Sequence, residues 1–241
     1  MKNFRTCLWQ ITAKTNLHVG NEDSTSYGII DKAVQRDVLT ELPCINASSL
    51  KGAINEFCCT CAADMIPDER KRIFGSDKLG KGGESTKGNV IFYDAHILFL
   101  PEQNDHELFT YITSEKVLEQ MNNRLALFNK KVDLNNYERN GKRKYSKKDD
   151  FGKKCNNLNL PIIARNVLVN GESKNLWYEQ VVPAETVFYA ITQEPEPDRK
   201  KGEKSLSEYI DGRIIQIGAN ATIGYGYCLF KNINIQDLSE K

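Results

Sequence analysis

A chain of 241 residues with 40% hydrophobic and 27% charged side chains can bury one substantial core with insertions, or at most two small ones. Its 33 Lys and Arg against 32 Asp and Glu leave a net charge of +1, which excludes the global basic field of a histone-like or ribosomal protein. No apolar run approaches the roughly 20 residues of a membrane helix, Met1–Thr6 lack the apolar stretch of an export signal, and seven cysteines in so long a chain point to reduced thiols, so the expected location is the cytoplasm, with no membrane partner.

In chain order, residues 4–13 are rich in β-branched and aromatic types, with Cys7, Trp9 and Ile11 alternating with more polar neighbours, the period of a half-buried strand. A polar excursion over residues 14–47 follows. Ser48 or Ser49 then caps a predicted helix in which Leu50, Ala53, Ile54, Phe57, Cys58 and Cys61 recur at three- and four-residue spacing, ending near Asp64 ahead of Pro67. Cys58, Cys59 and Cys61 have no second pair at zinc spacing, so Cys58 and Cys61 read as small buried hydrophobes. Gly88-Asn89 opens the apolar run Val90–Leu100, closed by Pro101, which reads as a second, largely buried strand containing His96. Further strands are predicted over 186–192 and 226–235, with a short helix over 205–211 closed by Gly212 and an apolar run at Ile214–Ile217.

Strand, helix, strand, a long insertion, strand, helix, strand is the order of an α+β ferredoxin-like fold. It gives one domain over 1–241, with a palm at about 1–13, 48–100 and 185–241, the loop excursion at 14–47, and an inserted region at about 102–184. Within that insertion, residues 129–154 hold ten Lys or Arg against four acids, a local excess of +6 hidden by the neutral total. A solvated loop and an RNA-phosphate surface explain it equally well, with Tyr137, Tyr145 and Phe151 as candidate base-stacking residues.

Hydrolase, metalloprotease and nucleotide-loop signatures are absent, and there are only three histidines, His18, His96 and His106. Ser48, Ser49 and Lys51 at a helix N-terminus offer hydroxyls, N–H groups and a cation to a phosphate, although a capped helix accounts for the serines as well. The segment Ile217–Tyr227 is a glycine-rich turn before the last strand, in which glycine allows positive φ and close backbone approach.

The order and spacing of His18-Val19-Gly20, Gly28-Ile29-Ile30-Asp31-Lys32, Gln35-Arg36-Asp37, Leu42-Pro43 with Ser48-Ser49-Leu50-Lys51-Gly52, and the glycine-rich Ile217–Gly226 closely resemble the RAMP superfamily of CRISPR proteins. Phe74-Gly75-Ser76, Gly88-Asn89-Val90, Thr113-Ser114 and Leu176–Thr186 narrow the resemblance to the repeated backbone subunit of the type III-B (Cmr) effector. The family motif commonly has Pro-Gly before the two serines, where this chain has Asn46-Ala47.

The resemblance implies a modified RRM-like palm and a thumb hairpin in the inserted region. It also implies stacking of several copies along a CRISPR RNA, with partners that include a complementary single-stranded target RNA, a large polymerase-like subunit and a small helical subunit. An aspartate after the first strand supports target cleavage at regular intervals with a divalent metal, Mg2+, and Asp31 occupies that place. His18 matches a position near the guide backbone, for contact or acid–base work, and Glu179 and Tyr178 fall at the end of the thumb as secondary candidates. Lys51, Ser49, Ser48 and Arg36 match guide-binding positions, joined by the Gly224, Tyr225, Gly226 loop. The alternative within the same family is a guide-binding subunit without nuclease activity; a stand-alone guide-processing nuclease calls for a histidine-centred site, for which only His18 is well placed.

Overall fold

The structure, a computed structural model, describes residues 4–20, 30–62, 64–76, 85–133, 138–139, 142–143, 145–156 and 159–238. Gly28 and Ile29 of the motif before Asp31, and Tyr137 of the basic segment, lie outside the described residues.

Strand β1 (Phe4–Ala13) forms where expected. It is not half-buried, however: Thr6, Cys7, Leu8 and Trp9 are all enclosed, as are Ile11, Thr12 and Ala13. The alternation misled because β1 is central in its sheet and covered on both faces, so even the polar positions lie inside, where Trp9 Nε1 donates to Thr192 Oγ1 at 2.9 Å.

After β2 (Cys44–Ile45), helix α1 runs over Ala47–Thr60, burying Leu50, Ile54 and Cys58. Neither serine caps it. Asn46 is the N-cap residue without a side-chain bond, and the Asp94 carboxylate, remote in sequence, accepts the Ala47 N–H at 2.6 Å. Ser48 and Ser49 stand exposed in the first turn. The helix also stops sooner than its periodicity suggested, so Cys61 is the C-cap and is exposed with Cys59, while Cys58 is buried and its thiol is pushed up to about 12 by that burial. Helix α2 (Pro67–Phe74) follows.

The predicted second strand is two: β3 (Ile91–Phe92) and β4 (Ala95–Glu102). The chain breaks at Tyr93-Asp94, where Asp94 turns to α1, and β4 continues through Pro101, which sits opposite Tyr111 of β5 (Thr110–Thr113). The insertion continues with α3 (Glu115–Ala126), capped by the Ser114 side chain accepting from Val117 N–H at 3.3 Å, and with β6 (Tyr145–Lys147). A hairpin then forms from β7 (Ile162–Val169) and β8 (Glu172–Gln180). Its turn places Asn170 and Gly171 at φ 52° and 83°.

The chain returns with β9 (Val187–Pro195), α4 (Leu206–Ile210), β10 (Ile214–Gln216) and β11 (Tyr227–Ile233). Along the main sheet the order is β6-β5-β4-β9-β1-β11-β10, and each of β4, β9, β1 and β11 is antiparallel to the next in that order. The β7–β8 hairpin is a two-stranded sheet of its own, with Val167, Leu168, Val169 and Leu176 exposed. Among the described residues no helix is long and apolar enough to cross a membrane.

The basic segment is committed to structure more than expected. Phe151 is buried, and Tyr145 packs on Phe99 with ring centroids 5.0 Å apart, which removes both from base stacking. Lys130 pairs with Asp237, Lys147 with Glu115, and Lys154 with Glu102 at 2.6 Å.

Candidate nucleic-acid interface

The excursion after β1 returns to the base of the hairpin. Asp31 and Lys32 lie alongside β8: Asp31 N–H and Lys32 N–H both donate to the Tyr178 carbonyl, at 3.0 and 3.1 Å, and Gln180 N–H donates to the Lys32 carbonyl at 2.8 Å. The Asp31 carboxylate closes the loop by accepting the Tyr178 N–H at 2.7 Å through Oδ2. Asp31 is therefore exposed yet fixed to a rigid hairpin by reciprocal bonds, a geometry that presents a charge in one place without burying it.

Immediately behind lies a buried polar cluster. His18 and Glu179 are 4% and 1% exposed, and His18 Nδ1 stands 2.7 Å from the Gln180 carbonyl oxygen and 3.8 Å from Glu179 Oε1. Since a carbonyl can only accept, that contact places the proton on Nδ1. Asn220 of the glycine-rich loop donates to Glu179 Oε1 as well, and Arg165 Nε lies 3.8 Å from Oε2. A carboxylate removed from water is tolerable when hydrogen-bonded and flanked by a cation, and here both come from separate segments.

Glycine lets the last segment reach the cluster. Gly218 has φ +81°, and a side chain there would collide with the His18 carbonyl; the neighbouring Ala219 N–H donates to that same carbonyl at 3.0 Å. Gly226, at φ +79°, donates to the Asn16 carbonyl at 2.8 Å and has no room for a Cβ against Ile217. Gly224, at φ +84°, faces open space, so only its backbone conformation requires glycine. Tyr225 between them stacks on the Arg165 guanidinium at 4.7 Å.

The structure thus brings His18, Asp31, Tyr178, Glu179 and the Gly224–Gly226 loop together, and treats the remaining candidates differently. Arg36 is half-buried and committed to the protein: Nη1 donates to the carbonyls of Glu41 and Cys155 at 2.6 and 2.7 Å, Nη2 donates to Gln180 Oε1 at 3.4 Å, and burial lowers its pKa. The side chain of Lys51, half-buried on α1, has no ion pair or hydrogen bond among the described residues, and no side-chain hydrogen bond or ion pair joins it or the two serines to the hairpin cluster. Lys32, Trp177 and Asn220 lie within the matched motifs but carried no assigned role, and Arg165 lies in none of them; all four are in or beside the cluster.

For a divalent cation the donor set is small. Among the described residues no group of three or more His, Cys, Asp or Glu side chains converges. Asp31 offers one exposed carboxylate, with Oδ2 engaged and Oδ1 uncommitted among the described residues. That suits the mode in which Mg2+ is held by one or two carboxylates with substrate phosphates and water completing the shell, and not a protein cage.

Known proteins resemble this chain over most of its length. The family model for the RAMP superfamily matches residues 10–229. The CRISPR system Cmr endoribonuclease Cmr4 of Pyrococcus furiosus is 24% identical, over 88% of this chain and 90% of its own length. Among solved structures, a type III-B Cmr-β complex bound to cognate target RNA contains a chain that superposes with TM-score 0.73 at 20% identity, covering 95% of this chain and 97% of that one. An oligomeric Cmr4 from Pyrococcus furiosus superposes with TM-score 0.65 at 19% identity, covering 98% and 99%.

Proposed function

The chain belongs to the RAMP superfamily, and from that premise we propose that it is the repeated backbone subunit of a type III-B CRISPR effector, binding CRISPR RNA as a multi-copy filament and cleaving complementary target RNA at Asp31. The sheet order β4-β9-β1-β11, with α1 and α4 on the connections, supports reading the core as a ferredoxin-like palm in a single domain, and the separate β7–β8 hairpin with its exposed apolar side chains supports reading it as the thumb. Its proposed partners are the guide RNA, the target strand, further copies of itself, and the large polymerase-like and small helical subunits.

The observation that carries the enzymatic part is Asp31, an exposed carboxylate locked to the hairpin at Tyr178. RNA cleavage by the neighbouring 2′-hydroxyl needs that oxygen, the phosphorus and the leaving oxygen in line, which a nucleotide pushed out of its stack by the hairpin satisfies. Asp31 then orients the attacking hydroxyl or, with phosphate oxygens, holds Mg2+. The ion would supply charge stabilisation at the phosphate. His18 and Glu179 are enclosed and bonded to the loops around them, so their role in this reading is to fix the segments that carry Asp31 and Tyr225.

The test is Asp31→Asn in the complex assembled with guide RNA and partner subunits. Target binding is retained and evenly spaced cleavage is lost, as it is for the wild-type complex when the divalent ion is chelated. Cleavage continuing unchanged in the variant with Mg2+ present removes the catalytic assignment and leaves a guide-binding structural subunit. A chain that stays monomeric with guide and partners contradicts the filament itself.

A further inference from the structure

The base of the hairpin carries donors that no described residue accepts from. Arg165 on β7 lies opposite Trp177 on β8, so the two side chains leave the hairpin on the same face. The guanidinium lies over the Tyr225 ring, 4.7 Å from its centroid, and its Nε is 3.8 Å from Glu179 Oε2, too long for a hydrogen bond. Arg165 Nε and Nη2 are shielded from solvent with no hydrogen-bond partner among the described residues, and so is Trp177 Nε1. Lys32 Nζ sits over the same indole, 5.1 Å from its centroid, and has no ion pair among the described residues.

Unsatisfied enclosed donors are rare and costly in folded proteins, and three at facing positions, beside a second cation, mark a place where acceptors arrive from outside. Those acceptors must be anionic, because they meet a guanidinium and an ammonium together. They must also present paired oxygens, because a guanidinium fork is satisfied by two parallel bonds. A backbone phosphodiester has both properties. The place is adjacent to the proposed cleavage point: Lys32 follows Asp31, and Tyr178, which anchors Asp31, follows Trp177.

We propose that Arg165, Trp177 Nε1–H and Lys32 form a phosphodiester-binding subsite that grips the RNA strand cleaved at Asp31. Arg165 takes the non-bridging oxygens. Lys32, on its flexible stem, shields the indole in the free protein and moves onto the phosphate when the strand arrives. Tyr225 and Glu179 keep the guanidinium oriented, which gives the glycine-rich loop a part in the site. This subsite rests on the nuclease reading above, and its residues are binding residues, distinct from the Asp31 chemistry.

The experiment compares Arg165→Gln, Arg165→Lys and Trp177→Phe with Asp31→Asn, each assembled with guide RNA and partner subunits, by target cleavage rate and by the dependence of target affinity on salt. Arg165→Gln should slow cleavage by roughly 10²-fold, the scale of letting the reacting strand shift by about 1 Å, and flatten the slope of log affinity against log salt by about 0.7–0.9, one phosphate contact. Arg165→Lys restores the slope but not the rate, since it keeps the charge and loses the fork. Trp177→Phe keeps the ring and slows cleavage several-fold with an unchanged slope. A purely structural Arg165 shifts melting without moving the salt slope, and wild-type rate and slope in both Arg165→Gln and Trp177→Phe overturn the subsite. If Asp31→Asn still cleaves, the nuclease reading fails, while the slope of Arg165→Gln continues to decide whether a phosphate is bound here.

Discussion

Replacing Gly218 with alanine tests whether the glycine-rich loop holds the site together. The native residue sits at φ +81°, where an L side chain costs roughly 1–2 kcal/mol. The added Cβ also runs into the His18 carbonyl, with Val19 Cγ2 only 3.1 Å away on another side, so the loop must retreat. Retreat stretches the 3.0 Å bond from Ala219 N–H to that carbonyl, worth about 1 kcal/mol net. It also draws Asn220 off the enclosed Glu179 carboxylate. The expected destabilisation is about 3 kcal/mol, which in a chain of this size lowers the melting temperature by roughly 6–12 °C. Target cleavage should fall further than the population of folded protein explains, because Tyr225 moves with the loop. Gly171→Ala is the control: it has φ +83° at the hairpin tip with nothing within 4 Å of a Cβ, and should show the backbone penalty alone. A Gly218→Ala protein that melts with Gly171→Ala and cleaves normally would refute the claim that close approach to His18 matters.

Two further outcomes follow from packing away from the hairpin. His96 on β4 is pushed down to about 4 by burial and then by the Arg124 charge, with the Asp37 carboxylate 3.6 Å away and Asp94 nearby working against it. Between pH 6.5 and about 4 the unfolded chain binds a proton that the native imidazole refuses, so stability falls as pH falls through that window, by roughly 3 kcal/mol at its acid end. Asp37, whose carboxyl is held below its ordinary range because hydrogen bonds from Thr40 outweigh its burial, loses its contribution only at still lower pH. Urea midpoints at pH 7 and pH 5 should differ for wild type and converge for His96→Gln. Separately, Asp94→Ala removes the acceptor at the start of α1 and should cost about 1 kcal/mol, whereas Ser48→Ala and Ser49→Ala, which cap nothing, should stay within about 0.5 kcal/mol in the same thermal melts.

Much of the scaffold was legible in the sequence because strands and helices write their own periodicity. β1, β9, α4 and β11 fall close to where composition and turn residues put them. α3 went unread inside the long insertion, although Ser114 at its cap and Val117, Leu118, Met121 and Leu125 on one face carry the helical pattern. The misreadings share a cause. The serines at α1 looked like caps until Asp94 took that place from the break between β3 and β4, and the alternation along β1 implied a wet face that the rest of the chain covers.

The site divides along the same line. Sequence alone sufficed for the order β1, α1, β4, β9, α4 and β11, for the family, and for the position of Asp31 within a spaced motif, since each depends on residues near one another in the chain. Which side chains meet depended on the tertiary fold: Arg36 turned inward onto two carbonyls, Glu179 enclosed against His18 and Asn220, and Arg165 set beside Trp177 with donors unpartnered among the described residues. Those outcomes depend on four distant segments converging at the foot of one hairpin, and no local pattern encodes the pairing that brings them there.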